Sequence, residues 1–169
     1  MSKPLLKTIV VAINGSQSSI QAAMYGIILA KQHSLRMKAV FVVDTATIKY
    51  LTNYKFFAAE ERDAYETDLQ NDGNKYLEYV LNLAKSKGVK IDTELRSGSV
   101  WTEIIHAADE AHADMILIGG HHNADGSYIA PHSGHRSVIS IARSEIVEYA
   151  HCPVLVIHKP EIEALFKIS

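Results

Sequence analysis

The stretch Thr8-Ile-Val-Val-Ala-Ile-Asn-Gly-Ser16 decides the fold class, because it joins a β-branched apolar run to a turn and then to a helical pattern. An unbroken apolar run of this kind suits a strand covered on both faces, as in a parallel sheet. The Asn14-Gly15-Ser16 turn offers a helix N-cap, and Ile20, Ala23, Met24 and Ile27 recur at helical spacing from about Ser16 to Gln32. The same unit repeats outward. Ala39–Val43, Met115–Ile118 and Val154–Ile157 are further apolar runs, whereas Val89–Leu95 alternates as an edge strand does. One helical pattern from about Ala58 to Ser86 carries Tyr65, Leu69, Tyr76, Val80 and Leu83 and stops at Gly88. A third pattern holds Val100, Ile104, Ile105, Ala108 and Ala111, and a fourth holds Val138, Ile141, Ala142, Ile146 and Tyr149. Strands alternating with helices imply βαβ units and a doubly wound α/β domain.

Composition sets the outer bounds. The 169 residues, 47% hydrophobic and 21% charged, fit one globular domain, expected over 1–160 with a short tail at 161–169. The formal net charge is -2 and no dense basic run occurs, so nucleic acid and anionic membranes find no electrostatic attraction. The single cysteine, Cys152, cannot form an internal disulfide, which fits a reducing compartment and a cytoplasmic location. Next to Pro153 at the start of an apolar strand, it reads as an inert core thiol. The opening Met1–Lys7 lacks the apolar core of a signal peptide, and no apolar run is long enough to insert in a bilayer.

Two segments break the alternation of strands and helices. Thr45–Phe57 holds Tyr50, Tyr54, Phe56 and Phe57, and its aromatics are expected to pack and pin a long connection over the sheet. Trp101 is expected in the core. Gly119–Arg136 is rich in Gly, His and Ser and leaves a strand end, the place where open α/β sheets bind ligands. His121, His122, His132 and His135 lie in it with Asp125 as the nearby acid, and they lack the fixed spacing of a metal centre, so no metal site is expected. No Gly-x-Ser-x-Gly elbow occurs, and no catalytic residues are assigned.

The motifs Ile9-Val-Val-Ala-Ile-Asn-Gly-Ser16, Val42-Val43-Asp44, Arg96-Ser-Gly-Ser-Val100, Ala113-Asp-Met-Ile-Leu-Ile-Gly-Gly-His121 and Cys152-Pro-Val-Leu-Val-Ile157 occur in order. Together they resemble the universal stress protein family. The resemblance implies a Rossmann-like five-stranded parallel sheet in the order 3-2-1-4-5, with helices on both faces. It also implies a homodimer through the last strand, Val154, Leu155, Val156 and Ile157. An apolar edge strand wants a partner on physical grounds too. The bland alternative has the tail, with Ile162, Leu165 and Phe166, folded over that edge.

Nucleotide-binding members of the family resemble a pattern with an Asp ending the first strand, a Val ending the second, and a glycine loop with Ser or Thr after the fourth. Glycines there let backbone amides approach phosphates, and the next helix N-terminus adds partial positive charge. In this chain Asn14 replaces the Asp, Val42 and Gly119 match, and His122 replaces the second glycine. The implied nucleotide set is Ala12, Asn14, Val42, Gly119, His121, His122, Gly134, Arg136, Ser137 and Ser140. Either Ser140-Ile141 or Arg136-Ser137-Val138 stands at the family's terminal Gly-Ser. Two functions follow. One is a stress-response regulatory module with a degenerate nucleotide loop, acting on a protein client; the other is a binder of ATP or AMP whose altered loop still holds phosphates. Slow nucleotide hydrolysis is the minor third reading, because Asn14 supplies no general base.

Overall fold

Strand β1 (Thr8–Ile13) runs through the middle of the sheet, and Ile9, Val10 and Val11 in it are 0% exposed. A computed structural model describes residues 2–55, 58–120 and 138–169, and only the backbone of 138–141. β1 is followed by α1 (Gln17–His33), β2 (Arg36–Asp44), α2 (Thr45–Asn53), α3 (Ala59–Ser86) and β3 (Ile91–Gly98). Next come α4 (Val100–Glu110), β4 (Met115–Gly119), α5 (Val138–Tyr149), β5 (Val154–Ile157) and α6 (Ile162–Ile168). The five strands are parallel and ordered β3-β2-β1-β4-β5, as the family resemblance implies.

Alternation along each strand divides the core into two layers. Ile9, Val11, Ala39, Phe41, Leu117 and Ile157 face α1, α3 and α6, where Ala23, Ile27, Leu77, Val80, Ile162 and Phe166 close the layer. Val10, Val40, Val42, Ile116 and Ile118 face the other way, onto Ile104, Ala107 and Ala108 of α4 and Ile146 of α5. Such burial supplies most of the folding free energy, at about 25 cal/mol per Å² of apolar surface.

The helix beginning at Ser16 is capped as its sequence indicates. The Ser16 hydroxyl accepts from the Ser19 amide at 3.1 Å, and Gly15 before it holds φ +82°, a left-handed angle that side chains disfavour. The apolar face of α3 follows the expected one in part, with Val80 buried and Leu69 and Leu83 packed against the core. Gly73, Leu77, Val80 and Ala84 are buried, while Tyr65 stays exposed and Tyr76 stacks on Phe41 at 6.2 Å from the helix flank.

Thr45–Phe57 is a helix for most of its length rather than a loop. The Asp44 carboxylate caps it, accepting from the Thr47 amide at 3.0 Å and the Thr47 hydroxyl at 2.7 Å. Ile48 pins it to the sheet. Tyr50 and Tyr54, expected to do so, lie against each other with tilted rings 4.7 Å apart and are 59% and 63% exposed. Phe56 and Phe57 lie outside the described residues. Trp101 is half-buried against the α4 layer, with its ring 5.5 Å from that of Tyr149.

The segment after β5 forms α6, which packs along α1 through Ile162 and Phe166. Glu163 accepts from Gln17 at 3.1 Å, and the Lys87 ammonium sits over the Phe166 ring at 4.7 Å. β5 is an edge strand with β4 as its sheet neighbour. Among the described residues no helix is long and apolar enough to cross a membrane.

One carboxylate ties the entry of β4 to the entry of β1. Asp114 accepts the amides of Lys7 at 2.7 Å and Thr8 at 2.9 Å, and its own amide donates to Thr8 O at 2.8 Å. The Thr8 and Lys7 amides hold its carboxyl below the ordinary carboxylate range. A depressed folded-state pKa contributes stability in full above the unfolded value of about 3.9, and that contribution is lost as pH falls through the folded-state value. Asp114→Asn should therefore melt below the parent at neutral pH, with the gap narrowing on acidification. Thermal melts across pH check this, and a gap that does not change with pH contradicts it.

Candidate functional site

A cavity of about 400 Å³ opens across the carboxyl ends of β1, β2 and β4, the switch point where the sheet order reverses. Its size falls within the roughly 300–1,000 Å³ of small-molecule sites. Most of its wall is apolar, from Ala12, Phe41, Val42, Ile48, Leu51, Val100, Ile104, Ile118 and Ile146. The polar groups are fewer: Asn14, Ser16, Ser18 and Ser19 around the start of α1, Asp44 and Thr47 at the start of α2, and Arg143 on α5. An apolar slot with a polar side suits a flat heterocycle carrying a hydrophilic substituent.

The α1 corner is built from hydroxyls and one amide side chain. Asn14 Oδ1 accepts from the Ser16 amide at 3.0 Å and from the Ser16 hydroxyl at 2.6 Å. The Asn14 amide donates to Ser19 Oγ at 3.3 Å, and the Ser19 hydroxyl donates to Ser16 O at 2.8 Å. Both bonds to the Asn14 side chain fall on its oxygen, so a carboxylate could make them as well. Asparagine keeps the turn and removes a negative charge from the corner. The result is a neutral corner at a helix N-terminus, whose dipole favours anions.

Of the residues implied by the family pattern, Ala12, Asn14, Val42 and Gly119 come together in this cavity. His121, His122, Gly134, Arg136 and Ser137 lie outside the described residues, and so do His132, His135 and Asp125. Ser140 lies in the first turn of α5. Among the described residues no group of three or more His, Cys, Asp or Glu is placed to hold a metal.

Gly119 is a glycine for a packing reason. A Cβ there would lie 2.5 Å from the Ser18 carbonyl carbon and 2.6 Å from its oxygen, so β4 and the first turn of α1 touch backbone to backbone. Neither backbone can yield as a flexible side chain would.

Sequence reasoning missed Asp44 and Thr47, whose signal was an acid ending an apolar strand with threonines next, the pattern of an N-cap. It also missed Arg143, a charge between the inward-facing Ala142 and Ile146. The Nη1 atom of Arg143 is shut off from solvent and has no hydrogen-bond partner. Burial pushes this guanidinium below its ordinary value. Arg96 shows the opposite arrangement. Its guanidinium bonds Glu94 at 2.7 Å, Glu103 at 2.8 Å and Glu110 at 2.9 Å, and these bonds, that to Glu110 foremost, hold its ionisation above the ordinary value. Cys152 is half-buried, and burial pushes its thiol up with help from the charges of Asp109 and Asp114, which suits an inert core group.

A parallel sheet with a cavity at its switch point defines a Rossmann-like α/β protein. The chain matches the model of the universal stress protein family over residues 6–158, and it belongs to that family. A universal stress protein of Methanocaldococcus jannaschii is 31% identical over 160 residues, which cover 94% of this chain and 86% of the relative. A Burkholderia pseudomallei structure from the family superposes with TM-score 0.68 at 21% identity, covering 92% of this chain and 98% of that one. A universal stress protein solved in complex with cAMP gives 0.61 at 19% identity, with 92% and 99% covered. An Arabidopsis thaliana family member solved with AMP bound gives 0.58 at 16%, with 89% and 90% covered.

Placing a methyl group at residue 119 should force β4 from α1. Gly119→Ala is expected to cost about 1–3 kcal/mol, as overpacking of a tight contact does. Urea unfolding measures it, and a change below about 0.5 kcal/mol would show that the two backbones have room to part.

Proposed function

We propose that this protein is a binding module of the stress response that takes an adenine nucleotide, ATP or AMP, in the cavity at the strand ends. The observation that carries the reading is the cavity itself, with an apolar slot over Val42, Ile104 and Ile118 beside the neutral hydroxyl corner at the start of α1. Relatives of the same fold were solved with AMP and with cAMP bound. The base lies in the apolar slot, and the phosphates lie toward the α1 corner and the Gly119 end of β4.

The mode of action is binding rather than turnover. Asn14 brings no carboxylate to the corner, and the Asp44 carboxylate is engaged by Thr47. The module is cytoplasmic and pairs with a second copy along β5, which ends the sheet with Val154, Leu155 and Val156 half-buried. α6 packs on α1, consistent with leaving that edge for a partner strand. Nucleotide state in the cavity and pairing at β5 are the two properties a protein client would read.

Protein purified and then denatured should release adenine nucleotide, or the ligand-free form should bind ATP or AMP in the micromolar range by calorimetry. Val42→Phe, which fills the slot, should weaken binding at least tenfold. Absence of released nucleotide together with flat titrations contradicts the reading and favours a regulator without nucleotide. For the pairing, Val156→Lys should convert a dimer to a monomer by light scattering. A particle of unchanged size, or a monomeric parent, contradicts pairing at β5.

A further inference from the structure

Arg143 is an arginine with nothing to do among its described neighbours. Its Nη1 is inaccessible to solvent and unbonded, and no hydrogen bond or ion pair joins its guanidinium to any described residue. Asp44 is the carboxylate in the described cavity wall, and both its oxygens are engaged by Thr47. A sheltered cation without a counter-charge opposes folding, since its lost hydration is not replaced. A cation with no partner among the described residues is one that a bound anion can complete. Arg143 lines the same cavity as Ser16 and Ser18 at the positive end of α1, so two independent anion-favouring features face one space.

We infer that the Arg143 guanidinium binds a phosphate group of the ligand, and that it is the residue by which this pocket selects phosphorylated over unphosphorylated ligands. The inference rests on the nucleotide reading of the cavity and adds the group that recognises the charge. Guanidinium suits the task because its planar fork of N–H donors meets two phosphate oxygens at once and stays protonated. Phosphate supplies the counter-charge that Arg143 lacks among the described residues that bond it, so the cost of sheltering the cation is offset when ligand is bound. This route does not depend on a glycine at position 122, where the chain has His122.

Calorimetric titration of AMP, adenosine and inorganic phosphate into the parent, Arg143→Met and Arg143→Lys tests it. The parent should bind AMP at least tenfold more tightly than adenosine. In Arg143→Met that preference should collapse to about twofold or less while adenosine affinity holds, and Arg143→Lys should keep part of it. Ligand-free Arg143→Met should melt at or above the parent, because an apolar side chain of similar length replaces a sheltered charge that bonds no described residue. An unchanged preference in Arg143→Met overturns the inference and leaves the nucleotide reading intact. If the parent binds neither AMP nor adenosine, the nucleotide reading fails. The phosphate arm then decides: phosphate binding lost in Arg143→Met upholds the role of Arg143, and no phosphate binding overturns it.

Discussion

Everything in this molecule hangs on a central strand buried on both faces. Ile9 and Val11 point to one helical layer and Val10 to the other, so β1 must have a parallel neighbour on each side and helices above and below. Chain connections that leave β1 toward β2 and return through β4 diverge at its carboxyl end. The divergence leaves a crevice there, which the start of α1, the capped helix α2 and the inner face of α5 then line. Gly119 sets how close the crevice walls come, since β4 meets the first turn of α1 backbone to backbone. The cavity is a consequence of topology, and its chemistry is set by the side chains that reach it.

Much of the fold could be read from residue order, because strand and helix periods are strong where both layers bury apolar groups. The unbroken runs at Thr8–Ile13 and Val154–Ile157 are strands at those bounds, and the alternating Val89–Leu95 overlaps the edge strand β3, which begins two residues later and runs Ile91–Gly98. Thr45–Asn53 was illegible as a helix for a physical reason. Its β-branched and aromatic residues are modest helix formers, and what starts it is a single cap at Asp44 and a single anchor at Ile48. The buried face of α3 was read in part, since Val80 is buried and Leu69 and Leu83 pack on the core, while small Gly73 and Ala84, which permit close approach, gave no apolar signal.

The site was legible in its backbone and illegible in its charge. Ala12, Asn14, Val42 and Gly119 sit at strand ends, where position follows from order along the chain. Arg143 belongs to a helix, and one step of about 100° separates a solvated arginine from one sheltered against the sheet. Only the packing of Ala142 and Ile146 beside it shows which applies. Asn14 brings no charge to the α1 corner, and Arg143 brings a guanidinium that bonds no described residue. Both leave the crevice receptive to an anion.

The most direct test of the account is amide chemical-shift mapping of the ¹⁵N-labelled protein as AMP is added. The account predicts that the largest shifts fall on Ala12, Asn14, Val42, Gly119 and Arg143, with β3 and the outer face of α3 unmoved. Shifts that are absent, or that cluster away from the carboxyl ends of β1, β2 and β4, would contradict it.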